Sequence, residues 1–335
     1  MQKPLISILI PFKNTEDYIE ACLDSIINQS YKNWELLIID DNSTDSSYHI
    51  VNKFAKKDSR VKLLKNNGVG IIEALRTALK ASKGELITRM DSDDVMAINK
   101  IEVLSTNLLK HGKKHVALGL VNYFAKDGIK AGYKSYEIWL NKLTKAGHNY
   151  SEIYKECVIP SPCWMVYKTD LEACNAFNPD TYPEDYDLAF RFYKQRYTCI
   201  PCNQTIHHWR DYSNRTSRTD SHYAENHFIP LKLNYFLDID YQTSKTLVVW
   251  GAGNKGKNIA KLLIEKRIDF EWICDNPKKI GHNIYGKILK PTAMLEQQEQ
   301  LQTIITVANK VEQEKIKNLL HSLKKHPIKD YVFFC

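Results

Sequence analysis

The sequence predicts an α/β fold in two parts: a parallel sheet flanked by helices, and a smaller βαβ module. Strand-length apolar runs alternate with segments whose apolar residues recur at helical spacing, as is typical of parallel sheets. Polar clusters follow three of these runs directly, at Pro11–Asn14, Asp40–Asp45 and Asp91–Asp94. Ligands bind beyond the carboxyl ends of such strands, so we expect the three clusters to share one crevice.

Four strands are predicted in the first part, and the first is a nearly continuous apolar run that suits burial on both faces. They are Leu5–Ile10, Trp34–Ile39, Val61–Leu64 and Glu85–Met90. The helices predicted between them are Tyr18–Ile27, Ser46–Lys56 and Ile71–Ala81. A polar stretch over 238–244 indicates a linker. We therefore predict domains at residues 1–240 and 245–335.

The bulk composition indicates an ordinary globular protein of 335 residues. No apolar run approaches the roughly 20 residues of a membrane helix. The N-terminus enters a strand directly and lacks the features of a signal peptide, so we expect a cytoplasmic protein. The eight cysteines are scattered and are expected to be reduced there.

The formal charge of +8 is concentrated in the last quarter of the chain. From Lys245 to Cys335, 16 Lys and Arg residues stand against 9 Asp and Glu residues. Such an excess is compatible with an anionic partner such as RNA. A solvated basic surface explains it as well.

The Asp91-Ser92-Asp93 sequence places two carboxylates on one side of an extended chain, because side chains alternate with period two. Two hard oxygen ligands suit Mg²⁺ or Mn²⁺ bound together with substrate phosphates. An isolated Asp-x-Asp is more often a solvated acidic turn. Its position after a buried strand favours the metal-binding interpretation.

Three motifs together identify a resemblance to the family 2 glycosyltransferases of the GT-A fold. They are Ser7–Asn14, Leu37–Asp45 and Arg89–Asp94, and the resemblance covers residues 4–240. It implies a GT-A-type fold with a mixed central sheet and a nucleotide-sugar donor, typically a UDP-sugar. It also implies a divalent cation, Mn²⁺ or Mg²⁺.

The resemblance also assigns roles on the donor side of the site. Pro11 and Asn14 would line the nucleotide pocket, and Asp41 would hydrogen-bond the base. Asp91 would approach the ribose or the sugar, and Asp93 would hold the metal, with Asp91 as the second carboxylate. The donor diphosphate or sugar would contact Arg89.

The segment Pro183–Arg191 opens a helix with acidic residues in its first turn. A plain acidic helix start is the simplest interpretation. By resemblance to the family, however, Asp185 is the general base and Glu184 its neighbour. A sugar hydroxyl is a poor nucleophile and needs a carboxylate to accept its proton. A base on one face and a leaving diphosphate on the other predict inversion.

The segment Ile206–Arg218 contains three arginines, of which Arg210 is the first, that could clamp a diphosphate. A surface loop rich in arginine is the alternative. Many relatives carry a metal-binding histidine where this chain has Tyr212, so His207 or His208 could substitute. Cys199 and Cys202 with these histidines also fit zinc, although a second Cys-x-x-Cys pair is lacking.

The C-terminal part contains Gly251-Ala252-Gly253-Asn254-Lys255-Gly256 after the predicted strand Thr246–Trp250. Helix Lys257–Lys266, strand Phe270–Cys274 and Asp275 follow, which completes a dinucleotide-binding pattern. It resembles the small Rossmann-like modules appended to sugar-modifying enzymes, some of which bind nucleotides while others are structural.

The two-part architecture also resembles bacterial two-domain family 2 transferases and the tRNA-queuosine galactosyltransferase. The features that carry this resemblance are Trp139–Leu143, Pro160–Met165, the glycine loop and Tyr331–Phe334. The acceptor would then be a glycan or RNA. The alternative functions are an NAD-linked oxidoreductase built on the glycine loop and a sugar-nucleotide-binding protein without catalysis.

Overall fold

The computed structural model describes residues 3–178, 180–213, 215, 218, 228–296 and 300–335. Contacts divide the chain into two compact units. The first unit combines Met1–Asn149 with Val158–Thr219, and the second combines Tyr150–Cys157 with Asp220–Cys335. The ranges predicted from sequence, 1–240 and 245–335, differ in where residues 150–157 and 220–240 fall, and they stay a prediction.

The first unit contains ten strands and seven α-helices among its described residues. The strands are β1 Ile6–Phe12, β2 Trp34–Asp40, β3 Val61–Lys65, β4 Leu86–Arg89, β5 Val95–Met96, β6 His115–Leu118, β7 Leu120–Phe124, β8 Trp164–Tyr167, β9 Thr198–Ile200 and β10 Thr205–Arg210. The helices are α1 Ile19–Ile27, α2 Ser47–Lys57, α3 Ile71–Ala81, α4 Lys100–His111, α5 Ala131–Ala146, α6 Lys168–Ala173 and α7 Glu184–Lys194.

Seven strands form the main sheet in the order β3-β2-β1-β4-β8-β6-β9. The four predicted strands are present and parallel to one another, with ends shifted by one or two residues. Strand β8 runs antiparallel to both β4 and β6, so the sheet is mixed. The carboxyl ends of β1, β2 and β4 therefore meet at one edge, as the alternating pattern predicted.

Burial explains why the central strands read as continuous apolar runs. Every residue of β1 and β2 is buried, because helices cover both faces of the sheet. Pro11 lies in β1 opposite Ile39 of β2, beyond the register Ile6–Leu9 in which β1 pairs with β4. The missing N–H of proline is tolerated there, because the ladder on that side has already ended.

A second, three-stranded sheet has the order β5-β10-β7 and adjoins the acidic turn after β4. Its first strand, β5, follows Asp94 directly and pairs antiparallel with β10 at His207 and His208. This small sheet fixes the Arg- and His-containing strand β10 beside the acidic turn.

The second unit contains a six-stranded sheet and three described α-helices. They are α8 Phe228–Ile239, β11 Thr246–Trp250, α9 Asn254–Glu265, β12 Glu271–Ile273, β13 Asn283–Ile284, β14 Lys287–Lys290, β15 Leu301–Ile305, α10 Lys310–Ser322 and β16 Tyr331–Phe333. The strand order is β13-β14-β12-β11-β15-β16. Strands β11, β12, β14, β15 and β16 pair in parallel, as a Rossmann-like module requires.

The glycine loop of this unit connects β11 to α9, and α9 begins three residues earlier than predicted. Gly251 has a φ of +117°, which L side chains rarely adopt. A Cβ at Gly256 would lie 2.0 Å from the carbonyl oxygen of Gly251. Asp275, the acidic residue of the pattern, accepts a 2.8 Å hydrogen bond from the Trp250 indole N–H. The loop and the acid are thus held by contacts within the unit.

Within the described residues, no helix is both long enough and apolar enough to span a bilayer.

Candidate active site

The turn after β4 carries the acidic residues expected to bind the donor. Asp91 and Asp93 keep 20% and 13% of their side chains exposed, whereas Ser92 and Asp94 are buried. The backbone N–H of Asp94 donates to the carbonyl of Asp91 at 3.3 Å and closes the turn. The chain therefore turns here and is not extended as the sequence predicted, and Asp91 and Asp93 are the partly exposed carboxylates of the turn.

Arg89, at the end of β4, joins the acidic turn to the start of α7. Its Nε donates to Asp91 Oδ1 at 3.1 Å, and its Nη1 donates to Glu184 Oε1 at 2.8 Å. Burial opposes the charge of this guanidinium, but Asp91 and Glu184 outweigh burial and raise the pKa of Arg89. Only 3% of the residue is exposed, so its contacts are with protein carboxylates. The predicted contact with the diphosphate stays a prediction.

Asp185 lies one residue after Glu184 in the first turn of α7 and is partly exposed. Its Oδ1 accepts a hydrogen bond from its neighbour's N–H, that of Tyr186, at 2.8 Å. Burial and the charge of Glu184 raise the pKa of Asp185 to about 7, although Arg89 acts in the opposite direction. A carboxylate with a pKa near neutrality is suited to accept a proton and release it again.

Asp93 is held by groups from the segment after β10. The Tyr212 hydroxyl donates to Asp93 Oδ2 at 2.9 Å, and Arg215 Nε lies 3.9 Å from the same oxygen. Burial, then the charges of Asp94 and Asp91, raise the pKa of Asp93 to about 7, against the effect of Arg215. Tyr212 thus contacts the predicted metal carboxylate in place of the histidine expected from relatives.

The two partly exposed carboxylates of the turn fit a hard divalent cation. Their donor atoms are oxygens, and the carboxylate of Asp94 lies in the same turn. Among the residues described, no group of three or more His, Cys, Asp or Glu side chains forms a metal cluster. Asp91 and Asp93 would therefore share the cation with donor phosphates and water.

The contacts of the alternative histidine ligands, His207 and His208, are with residues other than Asp91 and Asp93. His207 is fully buried, and its two ring nitrogens contact Lys100 and Asp94 at 3.1 and 3.0 Å. His208 Nδ1 contacts the side-chain oxygen of Asn122. The zinc interpretation of Cys199 and Cys202 with these histidines gains no support from this arrangement.

Arg210, the last residue of β10, contacts the acidic turn through its backbone and its side chain. Its Nε donates to the carbonyl oxygen of Asp93 at 2.8 Å. The guanidinium lies over the rings of Tyr18 and Phe124, 5.0 and 4.6 Å from their centroids. Arg210 thus fixes the path of the turn. Asn214, Thr216 and Ser217 of this predicted segment lie outside the described residues.

The predicted nucleotide-binding residues lie at the carboxyl ends of β1 and β2. Asp41 is buried, and its Oδ1 accepts hydrogen bonds from Asn66 Nδ2 at 2.7 Å and the Gly70 N–H at 2.9 Å. Its Oδ2 lies 4.0 Å from Lys13 Nζ. Asn14 adopts a φ of +51°, and its Oδ1 accepts from the Thr44 N–H at 2.8 Å. One oxygen of Asp41 is thus committed to loop structure.

An open depression of about 370 Å³ adjoins these loops. Its walls are formed by Asp40, Ser43, Thr44, Asp45, Tyr48, His49 and Lys65. Asp40, Ser43, Thr44 and Asp45 belong to the polar cluster predicted after β2. The depression is not lined by the individually predicted site residues, which are Pro11, Asn14, Asp41, Arg89, Asp91, Asp93, Glu184, Asp185 and Arg210.

The sequence did not predict the buried or loop residues that support the acidic turn and Asp41. Lys100 is fully buried beside the acidic turn, although as the first residue of α4 it reads as a surface lysine. Asn66 and Gly70 bind Asp41 but belong to a loop without a recognisable motif. Only contacts between distant segments reveal these roles.

Comparison with known proteins places this arrangement in a family. The sequence profile described as Glycosyl transferase family 2 matches residues 7–174, about half of the chain. The UDP-Glc:alpha-D-GlcNAc-diphosphoundecaprenol beta-1,3-glucosyltransferase WfgD of Escherichia coli is 34% identical over 197 residues. That match covers 56% of this chain and 69% of WfgD. Glycosyltransferase GlyG of Streptococcus pneumoniae is 37% identical over 125 residues, which are 37% of this chain and 42% of GlyG.

Solved structures share the fold at low identity. TarS of S. aureus in complex with UDP-GlcNAc aligns with a TM-score of 0.56 and 19% identity, over 77% of this chain and 71% of that chain. The mannosyltransferase PcManGT from Pyrobaculum calidifontis, in complex with GDP-Man and Mn²⁺, has a TM-score of 0.50 and 16% identity, over 80% and 82%. The predicted GT-A-type fold is confirmed. The profile and the relatives together show that this chain belongs to glycosyltransferase family 2 and is a glycosyltransferase.

Proposed function

We propose that this chain is an inverting glycosyltransferase that uses Mn²⁺ or Mg²⁺ to transfer a sugar from a UDP-sugar to a hydroxyl group. The observation that carries the proposal is the double contact of Arg89, which bonds Asp91 on the donor side and Glu184 beside Asp185. Because one guanidinium holds both carboxylates, donor and acceptor groups lie at one edge of the sheet.

In this proposal Asp185 is the catalytic base. It accepts the proton of the acceptor hydroxyl while the hydroxyl oxygen forms its bond to the anomeric carbon. The bond from that carbon to the nucleotide diphosphate breaks, and the diphosphate leaves with the electron pair. Attack and departure on opposite faces invert the anomeric centre. A divalent cation, when held by Asp91 and Asp93, supplies positive charge opposite the leaving diphosphate.

The nucleotide is assigned to the ends of β1 and β2. Asp41 Oδ2 accepts from the base, because its Oδ1 is already occupied by Asn66 and Gly70. Pro11 and Asn14 form the adjacent wall of the pocket. Relatives named for UDP-Glc and a fold neighbour bound to UDP-GlcNAc support uridine as the nucleoside. Arg210 keeps the acidic turn open towards the diphosphate.

The acceptor is proposed to be a glycan hydroxyl. The name of WfgD describes a sugar acceptor attached to diphosphoundecaprenol. RNA as acceptor rests on the charge of the last quarter of the chain and on the resemblance of the two-part architecture to the tRNA-queuosine galactosyltransferase. The proposal therefore commits to a saccharide acceptor and leaves its identity to experiment.

Replacing Asp185 with Asn tests the base assignment. Removing a general base slows the chemical step by about 10²–10⁴-fold, so transfer from a UDP-sugar to an acceptor saccharide should fall by that factor. UDP should still bind, as measured by calorimetry, since the contacts of Asp41 and Asp91 remain. Nuclear magnetic resonance of the wild-type product reports the anomeric configuration, and retention would contradict the displacement mechanism.

Asp187→Asn is the matched control. Asp187 lies in the same turn of α7, but it is buried and bonded to Arg191 Nε at 2.5 Å, so it serves the helix. Breaking this buried pair lowers stability, so transfer is compared at equal folded fraction and should then stay within about tenfold of wild type. Wild-type transfer by Asp185→Asn, or equal losses in both folded variants, would refute the assignment of Asp185.

A further inference from the structure

A chain of buried polar side chains lies behind the acidic turn and takes no part in the proposed reaction. Lys100, His207 and Asp94 are each 0% exposed. Burying charged groups is costly unless they are paired and hydrogen-bonded, so three such residues in contact require an explanation. They come from three elements: α4, β10 and the turn after β4.

Lys100 is the centre of this chain. Its Nζ donates to the carbonyl oxygen of Pro162 at 2.6 Å and lies 3.1 Å from His207 Nδ1 and 3.7 Å from Met90 Sδ. An ammonium group has donors only, so Nδ1 accepts from it and the ring proton lies on Nε2. That Nε2–H donates to Asp94 Oδ2 at 3.0 Å. Donation from Lys100 to His207 Nδ1 thus fixes the tautomer of His207 and makes its Nε2–H the donor to Asp94.

Asp94 connects His207 to Arg210 and so to the backbone of Asp93. Its second oxygen, Oδ1, accepts from the Arg210 N–H at 2.8 Å, and Arg210 Nε in turn donates to the carbonyl of Asp93. Both oxygens of Asp94 are therefore bonded to β10. The turn has little freedom to rotate Asp91 and Asp93 while these bonds persist.

We infer that Lys100 and His207 are positioning residues, which orient the metal-binding turn through Asp94 and tie it to the Pro160–Cys163 segment. This inference rests on the proposed function, since it requires that Asp91 and Asp93 bind the cation and the donor. Lys100 touches no substrate in this scheme. Partners that orient metal ligands typically contribute 10- to 100-fold in metal affinity or activity.

Lys100→Met is the first test, because methionine fills much of the space of the lysine stem without a charge. We expect the affinity for Mn²⁺ together with UDP, measured by calorimetry and by the electron paramagnetic resonance of free Mn²⁺, to fall about 10- to 100-fold. Lys232→Met is the matched control. Lys232 is also buried and donates to two carbonyls, those of Lys155 and Phe334, at 3.1 and 3.0 Å. It belongs to the second unit, so its variant should retain wild-type Mn²⁺–UDP affinity.

A pair of variants at His207 keeps the inference testable if Lys100→Met fails to fold. Gln at this position retains a donor for Asp94, whereas Leu retains none. His207→Gln should therefore bind Mn²⁺ and UDP at least five-fold more tightly than His207→Leu, at equal folded fraction, on the scale of one hydrogen bond to a charged group. A merely structural role predicts equal affinities for the two folded variants.

The outcomes separate this inference from the proposed function. If the wild-type protein binds neither UDP nor Mn²⁺, the proposed function fails. If the wild type binds both, and folded Lys100→Met and His207→Leu bind them with wild-type affinity, only the positioning role of Lys100 and His207 is overturned.

Discussion

Asp185 combines partial exposure with a pKa raised to about 7 by burial and by Glu184. A base works only when deprotonated, so activity should rise with pH and level off above about 7. An aspartate with an ordinary pKa of about 3.9 would keep nearly full activity down to about pH 5. We expect kcat/KM, measured from pH 5 to 9, to fall roughly tenfold for each pH unit below the pKa. A flat profile down to pH 5 would contradict the assignment.

We expect replacement of Arg89 to lower both the free energy of unfolding and the transfer activity. Replacing it with Met removes the guanidinium partner of Glu184, which is buried, and breaking a buried pair costs about 3–5 kcal/mol. Urea unfolding should show this loss in free energy of unfolding. The double variant Arg89→Met/Glu184→Gln should recover part of the stability, because the buried charge is gone, while activity stays low. Full recovery of activity in the double variant would contradict the bridging role.

The roles of single residues were only partly predictable. The acidic residues Asp91, Asp93 and Asp185 were identified from motifs, because their neighbours in sequence carry the pattern. Arg89 lies 95 positions before Glu184, and no local pattern reveals that pairing. Lys100 and Tyr212 act through equally distant partners, so their contacts with His207 and Asp93 appear only in the fold.

At the level of elements, α3 connects the nucleotide side of the crevice with the segment that leads to α7. Its first turn follows Gly70, whose N–H binds Asp41. Further along, Arg76 Nε donates to the carbonyl of Phe177 at 2.5 Å, and its Nη2 donates to the carbonyl of Asn178 at 2.7 Å. The helix thereby holds residues that precede α7, which carries the proposed base Asp185.

Replacing Arg76 with Met should release this segment. Hydrogen bonds from a charged group contribute about 1.5–3 kcal/mol each, so the free energy of unfolding should fall by at least that amount. Because Asp41 keeps its contacts, kcat should fall while the affinity for UDP stays near wild type. Lys80→Met, an exposed position on the same helix, is the control. Loss of UDP affinity with unchanged kcat would show that α3 serves the nucleotide instead.

Elements with strong periodicity were predicted well, and the others were not. Strands β1, β2 and β4 are buried along their whole length, which favours apolar residues at consecutive positions, whereas the edge strand β3 is only partly buried. Strands β6, β8 and β9 have three or four residues each, too few for a period to emerge. Their antiparallel and parallel pairings depend on partners more than 30 residues away, so the mixed half of the sheet came from the family resemblance.

For the whole molecule, ligand-induced stabilisation distinguishes the donor classes. A ligand that binds only the folded state stabilises it by about 2.7 kcal/mol at 100 times its Kd. Thermal unfolding in the presence of Mn²⁺ should shift upward with UDP-sugars and much less with GDP- or dTDP-sugars. The shift should disappear when a chelator removes the cation. Equal shifts with GDP-sugars would contradict uridine recognition by Asp41.

The architecture as a whole was predictable to the level of family and fold. The βαβ repeats and the ordered motifs indicated a GT-A fold, and the family profile over residues 7–174 confirms the class. Helix α8 groups with the second unit because its buried residues pack there, as the Tyr154–Phe236 ring contact illustrates. The composition of α8 could not predict which unit it joins, since an amphipathic helix can pack against the hydrophobic core of either unit.

The Arg89 bridge also constrains how this enzyme can be redesigned. Since the planar guanidinium of Arg89 contacts both Asp91 and Glu184, it fixes the spacing between the acidic turn and the start of α7. Evolution towards another sugar would have to change the side chains that line the crevice while preserving the contacts of Arg89 with Asp91 and Glu184. Libraries aimed at a new sugar should accordingly leave the end of β4 intact. Variation of the loops after β1 and β2 should be kept for changing the nucleotide, which is proposed to bind there.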